Sequence, residues 1–493
     1  MDRVFRRRVY PLTSTALSEE ELAAVFAMTS RSSDPLDEVA QTITPQRASE
    51  FHERWVLGYG HASVAEHAVV RLAVENISRL ACDDLEDNRL GSYTEKSSRY
   101  YVFSPGYYYV YFPEERELSP RQLRLFSITQ PRPRFYYVPE ELDKGRGRNL
   151  RKTYVQTCDK LFATYRHIMD QVMTYLRRTV SPRDDEPASA YQFRIRHQAA
   201  DSCRFLLPAA TLTSVGVTMN ARVLGHAISK LLSSDLAEQR ALGQELKSQG
   251  GSLTPTLLKG SQRSEYLERT REAQREGSRL LHPGGDQGPQ VALVQFDPEA
   301  ERRLAAAILY RYASASYQEA WDRVKALSRS ELERVLDEGL KRIDPQESPV
   351  RELEYVAYTF DFVMDYGAYR EFKRHRMQVY VAQPLTIDHG YETPPLIVEA
   401  GQEKAFREAV QAAEDAYRRV AKEYSPVVAQ YLVTHAHKRR VLSRMDLRQL
   451  YHFFRMRNSP YAHFTIRRVA AEAMRLVNEK HPLLLRHLKL ESD

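Results

Sequence analysis

The chain contains an internal repeat, and this repeat restricts its fold more than any other feature of its 493 residues. The segment Glu66 to Arg89 matches the segment Glu354 to Arg376 in the second half. A second pair of segments also matches: NARVLGH at Asn220 to His226 recurs as DLRQLYH at Asp446 to His452. Both pairs occur in the same order, which indicates a tandem duplication whose copies have diverged.

Hydrophobic periodicity predicts strands and helices. In the run from Tyr355 to Met364 the apolar residues alternate, as in a strand with a buried face. The residues on that face are Val356, Tyr358, Phe360, Phe362 and Met364. Helices are predicted over Pro298 to Leu327 and, from apolar spacings of three and four, over Arg467 to Lys480. We therefore predict an α+β fold of two tandem units, each a mixed sheet with packed helices.

Composition and the matched segments set the predicted boundaries. The first unit is placed at residues 1–246 and the second at residues 296–493. Residues 247–295 are rich in glycine, serine, proline and charge, with one helix around Glu265 to Arg279, and are interpreted as a linker. Residues 105–148 have no counterpart in the second copy, and their prolines and tyrosines indicate an inserted loop or hairpin.

Composition also excludes several classes of protein. No window approaches about 18 uninterrupted apolar residues, and the basic start is not followed by the apolar region of a signal peptide, so we expect a cytoplasmic protein. Cys82, Cys158 and Cys203 are widely spaced, which fits reduced thiols and neither a disulfide framework nor a zinc site. The net charge of +7 favours anionic ligands without requiring nucleic acid.

Arg374, His375 and Arg376 are three adjacent groups that can each carry positive charge. Such groups repel one another, so the triplet is favoured where an anion or an electron-rich cofactor binds. A solvated basic tip at the end of a helix is the alternative interpretation.

A series of short motifs follows in order along the chain. In the first copy these are GHASVAEH (Gly60 to His67), SYTEKSSRY (Ser92 to Tyr100), RFLLP (Arg204 to Pro208) and NARVL (Asn220 to Leu224). In the second copy they are KRHRM (Lys373 to Met377) and DLRQLYHFFRMRNSPYAHFTIRR (Asp446 to Arg468). Together they resemble the motifs of the flavin-dependent thymidylate synthases, the ThyX family.

The resemblance implies an enzyme of nucleotide biosynthesis. ThyX enzymes bind FAD and dUMP between the subunits of a homotetramer, take hydride from NADPH, and pass a methylene group from methylenetetrahydrofolate to the pyrimidine. A chain with two copies of the unit would complete that assembly as a homodimer.

The family signature, Arg-His-Arg followed by a Ser-x-x-Glu-x-Ser-x-Arg-Tyr stretch, is divided between the copies. In the first copy the triplet positions are Asp87, Asn88 and Arg89. The stretch after them is intact, with Ser92, Glu95, Ser97, Arg99 and Tyr100. The second copy keeps the triplet but has lost the serine, the glutamate and the arginine that should follow it.

Two further arginines are divided in the same way. The arginine that the family places before Leu-Pro to bind nucleotide phosphate is Arg204, and its counterpart in the second copy is Gln430. The arginine after the Asn-x-Arg motif is Arg457 in the second copy and Leu231 in the first. Because the copies together hold one full set, we expect one composite pocket, within a chain or between chains. The partner pocket would be inactive or have another role.

The resemblance assigns a role to each of these residues. The expected catalytic residues are Arg374, His375 and Arg376, which would also bind the flavin. The other expected cofactor-binding residues are His61, Ser63, Glu66, Asn220, Arg222 and His226. The expected substrate-binding residues are Ser92, Glu95, Ser97, Arg99, Arg204, Glu371 and Arg457. No metal site is expected at His61, Glu66 and His67, because ligand pairs on a helix need spacings of three or four.

Departures from the family pattern leave other functions open. Glu371 stands where the family usually has a glutamine that contacts the pyrimidine, and an unneutralised carboxylate there would repel dUMP or require a proton. Thr94 and Asp446 replace asparagines. One alternative is a non-catalytic relative that keeps FAD or a nucleotide as a structural ligand or sensor. A nucleic-acid-binding protein is a weaker alternative, based on RRRVY at the start and HKRR at His437 to Arg440.

Overall fold

The computed structural model describes residues 8–12, 17–30, 32–103, 135–281, 288–344 and 347–490. The chain forms two compact units, each built from more than one stretch of sequence. The first unit comprises Met1–Ser97, Phe135–Arg148 and Ala210–Pro283. The second unit comprises Ser98–Arg134, Asn149–Ala209 and Gly284–Asp493. Most of the predicted insertion, residues 105–134, lies outside the described residues.

The first unit combines a three-stranded antiparallel sheet with helices. The strands are β1 (Val69–Ser78), β2 (Ser92–Glu95) and β3 (Leu212–Asn220), in the order β1-β3-β2. The α-helices are α1 (Glu19–Met28), α2 (Leu36–Thr42), α3 (Pro45–His52), α4 (Arg79–Glu86), α7 (Ala221–Leu232), α8 (Ala237–Leu253) and α9 (Glu265–Ser278). A π-helical turn covers Glu53–Gly58, and 3₁₀ turns cover Ala62–Glu66, Glu140–Leu142 and Gly145–Gly147.

The core of the first unit lies on one face of this sheet. Alternate residues of β1 and β3 are buried against α4, α7 and α8, because strand side chains point to opposite faces in turn. The buried residues include Val70, Val74, Val215, Val217, Met219, Leu224, Ile228, Leu231, Leu242 and Leu246. The opposite face is open at Arg71, Ala73 and Gly216.

The second unit has a four-stranded antiparallel sheet and more helices. The strands are β4 (Val291–Phe296), β5 (Ala357–Asp365), β6 (Val379–Ala382) and β7 (Lys438–Asp446), in the order β4-β5-β7-β6. The first six α-helices are α5 (Arg148–Thr179), α6 (Ala188–Cys203), α10 (Ala300–Tyr310), α11 (Tyr317–Lys325), α12 (Arg329–Leu340) and α13 (Tyr366–Phe372). The others are α14 (Pro395–Glu399), α15 (Glu403–Glu423), α16 (Pro426–Ala429), α17 (Leu447–Arg457), α18 (Phe464–Lys480) and α19 (Pro482–Leu485). 3₁₀ turns cover Arg204–Leu206, Arg351–Tyr355 and Gln430–Leu432.

The two units share a local architecture. In each unit two strands lead directly into helices. In the first unit β1 leads into α4 and β3 into α7, and in the second unit β5 leads into α13 and β7 into α17. The residue that caps each helix is the last residue of the strand, namely Ser78, Asn220, Asp365 and Asp446. The α+β fold is confirmed, although each described strand pair is antiparallel, where a mixed sheet was expected.

The elements predicted from periodicity are present, with local differences. The predicted face of β5 is buried, and Tyr358, Phe360 and Phe362 have no exposed surface. The predicted helix over Pro298 to Leu327 is instead two helices, because Ser316 caps a new one. No described helix is long and apolar enough to cross a membrane.

The compact units do not follow the predicted boundaries. Residues 149–209, from the first sequence half, belong to the second unit. The first part of the predicted linker belongs to the first unit, because α8 runs to Leu253 and the side chains of Leu257 and Leu258 are buried. Residues 247–258 are therefore not a linker, although they contain glycine and serine. Their buried leucines hold this segment in the first unit.

Candidate functional site

β5 and α13 position a cluster of charged residues in the second unit. Asp365 caps α13 by accepting a hydrogen bond from the backbone N–H of Ala368 at 2.9 Å. Every residue of this helix is buried, including Glu371 near its C-terminal end. The basic triplet begins two residues after the end of the helix, so α13 positions both the acid and the triplet.

Glu371 connects arginines from the two sequence halves. Its Oε1 accepts a hydrogen bond from Arg204 Nη2 at 3.2 Å, and its Oε2 accepts one from Arg457 Nη1 at 3.3 Å. Arg457 Nη2 also donates to the backbone carbonyl of Glu371 at 2.9 Å. The side chains of Arg204, Glu371 and Arg457 are only 5%, 7% and 12% exposed. Because they are nearly removed from water, each depends on the others to balance its charge.

His375 lies beside Arg457 and is neutral. Arg457 Nε donates to His375 Nε2 at 2.9 Å, so the imidazole proton must lie on Nδ1. Burial, together with the nearby Arg457 and His452, lowers the pKa of His375 well below its usual value. The ring therefore accepts a hydrogen bond and adds no charge to the cluster at neutral pH.

Arg99 and Asp201 form a second ion pair in the same unit. Arg99 Nε and Nη2 donate to the two carboxylate oxygens of Asp201 at 2.7 and 2.9 Å, which is the bidentate arrangement. Burial opposes the charge of Arg99, but Asp201 and Glu371 outweigh it and raise its pKa. His463 Nε2 donates to the Asp201 carbonyl at 3.1 Å and so fixes the backbone of α6 at this point.

The cluster carries more positive than negative charge. Its hydrogen-bonded members include three guanidinium groups, of Arg99, Arg204 and Arg457, and two carboxylates, of Asp201 and Glu371. Burial, with Arg374 and Arg99 nearby, lowers the pKa of Arg457. Excess positive charge with little access to water favours the binding of an anion.

The basic triplet is divided between solvent and core. His375 is buried, whereas Arg374 and Arg376 are exposed. The side chain of Arg374 makes no ion pair or hydrogen bond within the described part of the chain. Its guanidinium can therefore contact a bound anion without first breaking an internal bond.

The predicted nucleotide-binding residues Ser92, Glu95 and Ser97 lie in the first unit. Glu95 pairs with Arg79 at 2.9 Å, and both side chains are almost completely buried. Glu95 also accepts a hydrogen bond from Thr213 Oγ1 at 2.9 Å. Ser92 lies on the open face of the sheet, beside a cavity of about 380 Å³. The contacts of Glu95 therefore favour a structural role for that residue.

Cys82, Glu86 and Glu95 bring their potential ligand atoms within 4.8 Å of one another, a grouping that the sequence analysis did not identify. Because Glu95 already binds Arg79 and Thr213, its contacts are those of an ion pair within the fold.

The other predicted cofactor-binding residues are in the first unit, most of them on its surface. His61, Ser63, Glu66, Arg222 and His226 are exposed, and Asn220 caps α7. Arg222 Nη1 pairs with Glu66 at 2.5 Å. The second copy repeats this contact, because Arg448 Nη1 pairs with Glu354 at 2.6 Å. The pair is therefore a feature of the duplicated architecture as well as a candidate binding group.

The basic run His437 to Arg440 is part of the fold rather than an open patch. His437 is fully buried, and the other three residues begin β7. Arg440 pairs with Asp361 on the neighbouring strand at 3.0 Å. These contacts remove one of the two observations behind the nucleic-acid alternative. The other, RRRVY at residues 6–10, is described from Arg8 onward, and Arg8 pairs with Asp37 at 2.6 Å.

The family described as thymidylate synthase complementing protein matches residues 12–256 and 292–483, which is most of the chain. The chain belongs to this family. The match falls into two segments, in agreement with the internal repeat. A UPF0159 protein of Chlamydia muridarum is 31% identical over 460 residues, covering 90% of this chain and 81% of that protein.

Other relatives carry a more specific name. A flavin-dependent thymidylate synthase of Geobacter sulfurreducens is 27% identical over 207 residues, covering 40% of this chain and 85% of that protein. The solved structure of a flavin-dependent thymidylate synthase of Helicobacter pylori, complexed with FAD and dUMP, is 17% identical with a TM-score of 0.31, and covers 41% of this chain and all of its own.

In this chain, the counterparts of the two divided arginines have structural contacts. Gln430 accepts a hydrogen bond from the backbone N–H of Leu385 at 2.9 Å. Leu231 is buried in the core of the first unit. Neither position offers a cation, which is consistent with a set of binding residues divided between the copies.

Sequence analysis missed Asp201 and His463. Asp201 precedes Arg204 by three positions on one helical stretch, and this spacing could have identified it as a neighbour of the site. His463 lies inside a quoted motif, but its contact with Asp201 joins residues 262 positions apart. Local sequence contains no signal for such a contact.

Proposed function

We propose that this protein is a flavin-dependent thymidylate synthase that reductively methylates dUMP to dTMP, with methylenetetrahydrofolate as the carbon donor and NAD(P)H as the reductant. One observation carries the proposal: Arg204 and Arg457, from different sequence halves, meet at Glu371 inside one compact unit. A composite site within a single chain is the simplest reason for each copy to keep a different part of the family's residue set.

In this proposal Arg99 and Arg204 bind the nucleotide phosphate, with Arg457 contributing a third guanidinium. Guanidinium groups suit this role because their donors match the oxygens of a phosphate, and burial reduces competition from water. Ser92, Ser97 and Glu95 stay predicted nucleotide ligands, although the contact of Glu95 with Arg79 counts against it. The neutral His375 orients Arg457, because its Nε2 accepts a hydrogen bond from Arg457 Nε.

FAD is the proposed cofactor, and the residues present fit an anionic cofactor at the triplet. Arg374 is exposed and makes no ion pair within the described residues, so its charge is available to the flavin or its pyrophosphate. Arg376 lies two positions further along the chain and is also exposed. Arg222 offers less charge, because Glu66 already neutralises it. When bound, FAD supplies hydride transfer.

A non-catalytic relative that retains FAD or a nucleotide as a structural ligand or sensor is the second candidate. Glu371 favours it, because this carboxylate already pairs with two arginines that the reaction would need for its substrate. The two candidates share binding and differ in turnover.

The two candidates are separated by incubating the purified protein with FAD, NADPH, methylenetetrahydrofolate and dUMP and measuring dTMP. We expect yellow protein and dTMP, and we expect Arg374→Ala with His375→Ala to weaken FAD binding. Bound flavin and dUMP without dTMP would favour the non-catalytic relative. Protein that binds neither would contradict both candidates.

We also propose that the chain forms a homodimer, in which four copies of the duplicated unit come together. Light scattering should then give a particle of twice the chain mass of 57.1 kDa. A monomer or a particle of four chains would contradict this assembly.

A further inference from the structure

Arg204 is buried and Arg457 is mostly buried, and the two guanidinium groups meet at one internal carboxylate. Glu371 gives one carboxylate oxygen to each guanidinium, at 3.2 and 3.3 Å. A phosphate group can offer two oxygens to the same pair of donors. Glu371 therefore lies where a bound phosphate would make its contacts.

The two arginines differ in how many of their side-chain nitrogens donate internal hydrogen bonds. Arg457 uses Nε, Nη1 and Nη2 for His375, the Glu371 carboxylate and the Glu371 carbonyl. Arg204 makes one ion pair through Nη2, while its buried Nε has no hydrogen-bond partner among the described residues. A buried donor without a partner is costly, and a ligand with more acceptor oxygens than a carboxylate can satisfy it.

We propose that Glu371 is an internal counter-ion which a dianionic phosphate monoester displaces from Arg204 and Arg457. The inference rests on the proposed function, since it assigns a ligand class to the same site. A phosphate monoester brings two negative charges and three terminal oxygens, enough to replace the carboxylate and to reach Arg204 Nε. A nucleoside without phosphate cannot make this exchange, so Glu371 selects ligands by charge.

The test compares the wild type with Glu371→Gln by calorimetric titration with inorganic phosphate and with dUMP. The substitution removes the competing charge and takes the paired carboxylate away from Arg204 and Arg457, which have little access to water. We expect the affinity for phosphate to rise by about tenfold or more, and phosphate to raise the Tm of the variant more than that of the wild type. Glu371→Asp keeps the charge on a shorter side chain and should show a smaller gain.

Two further variants check where the effect comes from. Glu392→Gln removes another glutamate that pairs with an arginine in the same unit, at 2.8 Å from Arg468, and should leave phosphate affinity unchanged. Adding Arg204→Gln to Glu371→Gln should cancel the gain.

Unchanged or weaker phosphate binding by the Glu371 variants would overturn the proposal. If Glu371→Gln does not fold, Glu371→Asp decides alone. Neither measurement uses turnover. A gain in phosphate affinity without dTMP formation would contradict the proposed synthase activity and support the role of Glu371. Formation of dTMP without a gain in phosphate affinity would support the synthase activity and contradict the role of Glu371.

Discussion

The ion pair between Arg79 and Glu95 is almost completely removed from water, with side chains 1% and 4% exposed. A buried charge needs its partner more than an exposed one does, because solvent cannot replace the partner when it is lost. The pair between Arg222 and Glu66 has the same chemistry in the same unit, but its side chains are 54% and 42% exposed. Glu95 is therefore expected to contribute to stability, whereas Glu66 is a surface residue whose loss should matter little.

We predict that Glu95→Gln lowers the free energy of unfolding by about 3 kcal/mol, because it leaves Arg79 buried without a counter-charge. The matched control Glu66→Gln should change it by less than about 1 kcal/mol. Urea unfolding of both variants measures the difference. If Glu95→Gln is as stable as the wild type but binds dUMP more weakly, the nucleotide-binding role expected from the sequence is correct.

Buried histidines should set part of the pH dependence of stability. Burial lowers the pKa of both His463 and His375 well below the usual value. The positive charge of Arg204 adds to this effect at His463. The folded protein therefore keeps these rings neutral while the unfolded chain takes up protons below about pH 6.5, so the free energy of unfolding falls as the pH falls. Asp365 acts in the opposite direction: burial raises its pKa to about 6, and its contribution is lost as the pH rises toward that value.

We predict that His463→Asn reduces the loss of stability between pH 7.5 and pH 5.5 by up to about 1.4 kcal/mol per pH unit. Asparagine can still cap α18 but does not titrate in this range. Urea unfolding at the two pH values measures the slope. An equal loss in the variant and the wild type would mean that His463 takes up its proton in the folded state.

Among the structural elements, equivalent strand-to-helix junctions of the two copies have the same helix cap, formed by an asparagine in one copy and an aspartate in the other. Asn220 caps α7 and Asp446 caps α17, each accepting a hydrogen bond from the third residue of its helix, at 2.9 and 2.8 Å. Burial raises the pKa of Asp446, and Glu354 adds to the effect, so its charge is disfavoured there. The departure from asparagine at this position therefore preserves the cap.

We predict that Asp446→Ala lowers the free energy of unfolding by about 1 kcal/mol, because α17 loses its cap. Asp446→Asn should stay close to the wild type, since asparagine caps equally well. Thermal unfolding of both variants tests this. Equal losses in the two variants would show that the charge of Asp446, rather than its cap, is what stabilises the fold.

Local patterns were sufficient for elements whose signals lie within a few residues. The alternation in β5 and the strand-to-helix order of both copies follow from the sequence alone. The break between α10 and α11 was missed, although the spacing of Ser316 and Glu319 is a capping box that could have predicted it. Packing of residues 149–209 into the second unit was not predictable in this way, because it depends on contacts between distant segments.

For the whole molecule, the same limit applies to the candidate site. Sequence comparison of the copies identified Arg204, Glu371 and Arg457 separately, since each occupies a motif. It could not predict that one carboxylate would bind both arginines, because these residues are 167 and 86 positions away from Glu371. Nor could it predict that Arg99 would be paired with Asp201. The structure thus shows that Arg99, Arg204 and Arg457, which were expected to be available for a ligand, each have an internal carboxylate partner.

Our main proposal for the molecule is that arginines from both sequence halves form one nucleotide site. It is tested most directly by titrating dUMP into the wild type, Arg204→Ala, Arg457→Ala and the matched control Gln430→Ala. Loss of a charged contact to phosphate should weaken dUMP binding by about ten- to a hundredfold in each arginine variant. Gln430→Ala, at the counterpart of Arg204, should bind as the wild type does. Wild-type affinity in both arginine variants, or an equal loss in Gln430→Ala, would contradict the claim.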